Sequence, residues 1–227
     1  MAQQDYLLRM FEEMSRAIAQ IVYQKQIKDY HASHELIDEQ FKQALGMGSG
    51  FIRTLSDETL LAMLTTVETL NVEKCWLVAM LLKAEGDLFV DEQDESNSYH
   101  SYLKACNLFL EVLYTKSHNK ELEKISEVEE LLDKLEDYET PLRTRQLLFW
   151  YFDYTGQYGK AEDMLFDMLE GEVNDALENV EEAPSLQEQG EAFYARLLGK
   201  SDETLEAGNF VHAEIGEGLA RLHKRFA

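Results

Sequence analysis

The sequence predicts an all-α protein built as a stack of helical hairpins. Three observations carry that expectation. Apolar residues recur with a period near 3.6 from about residue 3 to about residue 225. No stretch sustains the apolar–polar alternation of a half-buried strand. The 227 residues contain only 2 prolines and 12 glycines, so little interrupts a helix. With 45% hydrophobic and 29% charged residues the chain has enough apolar material to close a core without disulfides or metals. It reads as one helical domain over 1–227, with about ten or eleven helices.

Taken in order, the first helix spans about residues 3–28, with Leu7, Met10, Phe11, Met14, Ile18, Ile21 and Val22 on one stripe. A second, about 30–45, ends at Gly46. Residues 46–50 hold three glycines in five and read as a flexible loop, a hinge between hairpins. Ser56 is placed to cap the next helix, with Asp57 and Glu58 at the positive end of its dipole, and the pattern runs to about 70. A long helix of about 72–92 contains Gly86 as a weak point, and the acidic Asp91–Ser98 stretch reads as a turn. Helices of about 98–117 and 120–138 follow. Thr140-Pro141 reads as an N-cap and a first helical residue, and Gly156 as the left-handed residue that closes that helix. Further helices are expected over about 158–180, 185–199 and 210–225, with Pro184 as a break and Ser201 capping a short helix.

The hairpins carry a repeat signal. Tetratricopeptide-type packing needs an aromatic at the turn, a small residue three positions on and a bulky one four further. Tyr158, Ala161 and Leu165 fit, as do Tyr102, Ala105 and Phe109. Gly208, Phe210 and Ala213 match the turn and the small position, but Glu217 stands where a bulky residue belongs. Tyr30, Ser33 and Ile37 are a partial match. The turns lie 72, 56 and 52 residues apart, too irregular for a 34-residue array. The expected architecture is therefore an irregular tetratricopeptide-like α–α superhelix.

Three stretches resemble an uncharacterised bacterial family of helical, tetratricopeptide-like proteins: Gln4 through Met10, Gly159 through Phe166, and Phe193-Tyr194 through Ser201-Asp202-Glu203 to Glu217-Gly218-Leu219. They span the chain from end to end. The resemblance implies the fold and brings with it no activity, cofactor or catalytic residue.

Charge narrows the partners. Lys and Arg number 21 against 44 Asp and Glu, a formal charge of −23, which repels nucleic acid and anionic membrane surfaces. Residues 161–191 carry eleven acids and no Lys or Arg, read as a solvated face. The first residues lack the charged and apolar regions of a secretory signal, and no run approaches the length of a membrane span. Cys75 and Cys106, each inside an apolar pattern, read as buried small hydrophobes in a reducing compartment, hence a cytoplasmic setting.

Motifs for chemistry are sparse. His31 and His34, three apart, share a helix face with Glu35 and Asp38, but a metal site there is not favoured, because the second Cys/His pair that tetrahedral zinc needs is missing. No nucleophile elbow, phosphate loop or calcium loop occurs, and no cofactor is expected. The aromatic run 149–154 is the most informative local feature. At about 100° per residue, Leu148 and Phe152 share one face, while Leu147, Trp150, Tyr151 and Tyr154 crowd the other. In the repeat register set by Gly156, Arg143, Gln146, Trp150, Asp153 and Tyr154 face the concave side. Phe149 falls where the repeat prefers glycine. The expected function is thus a non-enzymatic module that binds a protein or peptide through a helical-hairpin surface. The alternatives are an enzyme or small-molecule sensor with a pocket between hairpins, and a homodimer whose seam on the first helix uses Met10, Met14 and Tyr23.

Overall fold

The computed structural model describes residues 2–66, 69–117, 126–171 and 185–226. Among them are twelve helices and one minimal hairpin of strands, so the fold is all-α. The chain divides into two compact units, Met1–Tyr138 and Glu139–Ala227.

The first unit opens with α1 (Ala2–Gln26) and α2 (Tyr30–Leu45). Asp29 caps α2 by accepting from the Ala32 amide at 3.1 Å, and Gly46, at φ 74°, closes it in the left-handed conformation. The glycine-rich segment is shorter as a loop than its composition suggests, because α3 (Ser49–Thr54) begins inside it. Asp38 accepts from the Ser49 amide at 2.9 Å and so anchors the start of α3 to α2. A Cβ at Gly48 would stand 2.3 Å from the Asp38 carboxylate, which is why that position is glycine.

Ser56 caps α4 (Asp57–Leu64) as its sequence implies, accepting from the Thr59 amide at 3.2 Å. The helix then stops six residues earlier than the apolar pattern suggests. Thr65–Thr66 (β1) and Thr69–Leu70 (β2) pair antiparallel, Thr65 opposite Leu70, so the expectation of no strand at all is corrected. The β-branched Thr65 and Thr66 lose side-chain freedom in a helix, and Asn71 already caps the next helix through the Lys74 amide at 2.9 Å.

The centre of this unit is α5 (Val72–Asp91), packed against α6 (Glu95–Ser117) and also against α1, α2 and α4. Being enclosed by several partners, it buries residues all round. The α5–α6 turn uses Gln93 at φ 62°. Gly86 is a seat for Tyr102, since a Cβ there would lie 2.5 Å from the ring. The Tyr102 hydroxyl donates to Asp87 at 2.7 Å, and Lys134 of α7 (Ser126–Leu135) joins the same carboxylate at 3.0 Å. Cys75 and Cys106 are fully buried free thiols between these helices, pushed up to about 12 by burial. Residues 118–125, which include the expected start of the 120–138 helix, lie outside the described residues.

The second unit begins with α8 (Leu142–Thr155). Pro141 itself, not Thr140, is the cap: its ψ of 152° is extended, and its carbonyl accepts from the Arg145 amide at 3.0 Å. Gly156, at φ 76°, ends α8, and α9 (Tyr158–Gly171) returns alongside it, so that Arg145 near the start of α8 donates to the Asp167 carbonyl late in α9 at 3.2 Å. Tyr158, Ala161 and Leu165 are buried in this hairpin, as the repeat register requires. We expect Ala161→Leu to overpack the contact and cost about 1–3 kcal/mol in urea denaturation. A neutral result would mean that the helices approach elsewhere.

Beyond residues 172–184, which with Pro184 lie outside the described residues, come α10 (Leu186–Leu197), α11 (Asp202–Ala207) and α12 (His212–Phe226). Ser185 and Glu188 form a reciprocal capping box on α10, and Ser201 caps α11. The two turns marked by glycine meet. Gly159 donates its amide to the Gly208 carbonyl at 3.1 Å, and a Cβ on Gly208 would stand 2.4 Å from the Gly156 oxygen. Ala213, read as a small packing residue, is exposed. Gly218 plays that part on α12: a Cβ there would strike the Tyr194 hydroxyl at 2.2 Å.

Tyr194 donates to Glu162 at 2.6 Å within this contact. Burial, the larger influence, pushes the Glu162 carboxyl above the usual glutamate range, while the Tyr194 bond pulls it down. A folded-state value above the unfolded one favours the fold most at low pH, and this contribution is lost as pH rises through the folded value. Glu162→Gln keeps an acceptor for Tyr194 and removes the charge. We expect the variant to melt above the wild type in mildly alkaline buffer, with the margin narrowing as pH falls toward the ordinary glutamate range. A margin independent of pH would contradict the assignment.

Candidate functional site

Each unit carries a distinct surface feature. In the second, α8 buries Thr144, Leu148, Phe149, Tyr151 and Phe152. Leu148 and Phe152 are core as the helical wheel requires. Tyr151 is core too, at 1% exposure, where the sequence reading placed it on the opposite face. It falls about 60° from Leu148 on the wheel, near enough to be drawn inside. Phe149, at the position where a repeat would carry glycine, packs edge-on against Phe193 at 5.5 Å.

The five residues expected on the concave side, Arg143, Gln146, Trp150, Asp153 and Tyr154, lie within about 100° of one another on the helix, away from Leu148 and Phe152. Tyr154 is 46% exposed, and its ring lies 5.5 Å from that of the half-buried Trp150. Asp153 pairs with Arg196 of α10 at 2.5 Å. Gln146 is exposed, and Arg143 is half-buried with its Nε enclosed.

In the first unit, α2, α3 and the end of α5 enclose an open cleft of about 680 Å³. α2 supplies His31, His34, Glu35 and Asp38; α3 supplies Ser49, Gly50 and Arg53; Phe89 and Glu92 complete it. The histidines are engaged separately, His31 with Glu35 at 3.6 Å and His34 with Glu92 at 2.8 Å. Among the described residues no group of three or more His, Cys, Asp or Glu is gathered closely enough to hold a metal ion. Asp38 is held below the usual carboxylate range, chiefly by its bond to Lys42 at 2.6 Å and also by the Ser49 amide.

Behind the cleft is a buried charge. Glu85 of α5 is 0% exposed and accepts from Arg53 Nη1 at 3.0 Å. Its other oxygen, Oε2, is enclosed without a hydrogen bond of normal geometry among the described residues. Burial pushes the Glu85 carboxyl up, and the Arg53 charge, Ser49 and His34 oppose that rise. The Arg53 guanidinium lies 4.8 Å from the Phe89 ring centroid, and His34 packs on the same ring at 5.3 Å.

The sequence brought the four α2 residues together on one face but missed Arg53, Glu85, Phe89 and Glu92. The one available signal was Glu85 itself, an acid on the same helix face as the apolar Leu81, Leu82, Leu88 and Phe89. On α1, Tyr23 of the candidate dimer seam is 59% exposed, while the side chains of Met10 and Met14 lie outside the described residues. No helix among the described residues is long and apolar enough to cross a membrane.

These features define an all-helical protein of packed hairpins, with a charged cleft in the first unit and an aromatic face on α8 in the second. The chain belongs to a family of unknown function, DUF6483, whose model matches residues 1–227. No curated protein and no solved structure matches it.

Proposed function

We propose that this protein is a non-enzymatic interaction module that binds a protein or peptide partner through the outer face of α8. The observation that carries this reading is the pair of neighbouring rings, Trp150 and Tyr154, on the side of the helix turned away from its buried stripe. Trp, Tyr and Arg are the commonest interface anchors, because each joins a large area to a polar tip. Gln146, Arg143 and the Asp153–Arg196 pair add hydrogen-bonding groups around the rings. The close hairpin contact at Tyr158, Ala161 and Leu165 supports a tetratricopeptide-like mode of packing, in which such faces line the concave side. The net charge of −23 disfavours nucleic acid as the partner, and two free buried thiols are in keeping with the cytoplasm.

The test is Trp150→Ala. On this reading the variant melts close to the wild type and loses about 2 kcal/mol or more of partner affinity. A loss of about 3–5 kcal/mol in folding stability would instead assign Trp150 to the core and remove this face as a binding surface.

A further inference from the structure

We infer that the cleft between α2, α3 and α5 binds a small zwitterion of the amino-acid class, with the ligand carboxylate on Arg53 and its ammonium among Glu35, Asp38 and Glu92. This goes beyond the interaction reading, which concerns α8, and does not depend on it. The volume, about 680 Å³, lies within the range of small-molecule sites and exceeds what a bare ion needs.

Arg53 is the anchor. A guanidinium offers five N–H donors in a rigid fork. Here one nitrogen is committed to Glu85, and no other side-chain hydrogen bond from Arg53 is formed among the described residues. The side chain is 26% exposed, and it lines the cleft. Its orientation is fixed on both sides, by the buried Glu85 carboxylate and by the Phe89 ring beneath it. A pre-oriented fork of this kind suits a carboxylate, which it meets with two parallel hydrogen bonds.

The acidic lining selects among carboxylates. Glu35, Asp38 and Glu92 line the same cleft, and among its described lining residues Arg53 is the one Lys or Arg, with Lys42 bonded to Asp38 beside it. Their own partners do not cancel this excess for a ligand. Glu35 is 71% exposed at the rim, and Asp38 and Glu92 remain about a third exposed beside Lys42 and His34. A simple carboxylic acid would bring a fourth negative charge to them. A simple amine would leave the Arg53 fork without an anion. A molecule with both groups satisfies both ends of the cleft, and the volume left over accommodates its side chain.

The experiment is thermal denaturation of the full chain, titrated separately with each free L-amino acid, with acetate and with methylammonium. The expected result is a saturating rise in melting temperature with one or more amino acids, and none with acetate or methylammonium over the same range. Two variants locate the effect. Arg53→Gln combined with Glu85→Gln neutralises both members of the buried pair, so neither is left as an unpaired charge, and should weaken binding about tenfold or more. Glu35→Gln changes an exposed rim residue and should weaken binding while leaving the unliganded melting temperature unchanged. The proposal is overturned if no amino acid gives a saturating shift, if acetate shifts the protein as strongly as any amino acid, or if Glu35→Gln binds as tightly as the wild type.

Discussion

Replacing Arg53 by alanine is expected to destabilise the first unit by about 3–5 kcal/mol at neutral pH, the usual cost of stripping the partner from a buried charge. Glu85 is 0% exposed, and Arg53 is the charged group that pairs with it, at 3.0 Å. Without the guanidinium the carboxylate must stay charged in an apolar setting or take up a proton. Burial already raises its pKa, and Arg53 is the strongest influence acting the other way, so the variant's value rises further. With the folded pKa above the unfolded one, the Glu85 contribution is most favourable below the ordinary glutamate range and declines as pH rises through the folded value. Urea denaturation should therefore show a larger loss at about pH 7 than at about pH 5. The paired Arg53→Gln, Glu85→Gln replacement should recover most of it. A loss below about 1 kcal/mol for Arg53→Ala would show that water reaches Glu85 and compensates the charge.

Phe193→Ala should cost the second unit a comparable amount, about 3–5 kcal/mol. Phe193 is fully buried on α10. Its ring stands 5.5 Å from Phe149 on α8, 5.1 Å from Tyr194 and 6.5 Å from Phe210, ahead of α12. One truncation thus opens a cavity shared by three segments and removes edge-to-face contacts that add to plain burial. Chemical denaturation should place this variant well below Trp150→Ala. Equal losses from the two would mean that the outer face of α8 is as much core as the inner one.

The contrast between those residues shows what the chain made legible. Local chemistry was readable: the Ser56 and Ser201 caps, the helix end at Gly46, the left-handed Gly156, and the Tyr158–Ala161–Leu165 register all follow from neighbours within a few positions. Errors began where a local pattern served two masters. Thr65 and Thr66 sit in a stretch whose apolar spacing is helical, yet their branched side chains and the Asn71 cap give a two-residue strand instead. Tyr151 lies at the edge of the buried arc, and only the surrounding helices decide that it goes inside. The cleft was beyond reach because its central pair joins positions 32 apart, with Arg53 on a six-residue helix that begins inside the glycine-rich 46–50 segment and runs past it. Gly86, which looked like a flaw in α5, is explained only by the Tyr102 ring that rests on it.

The two buried thiols of α5 and α6 have a use that their packing makes available. Only a thiolate attacks an alkylating reagent, and with Cys75 and Cys106 both pushed up to about 12 the closed structure offers almost none at neutral pH. Each modification event therefore records an excursion in which these helices part and water enters. Both cysteines belong to the first unit, while the tryptophans are divided, Trp76 in the first and Trp150 in the second. Labelling kinetics thus act as a clock for the breathing of one half of the molecule, and the fluorescence of each tryptophan, isolated by replacing the other, follows its own half.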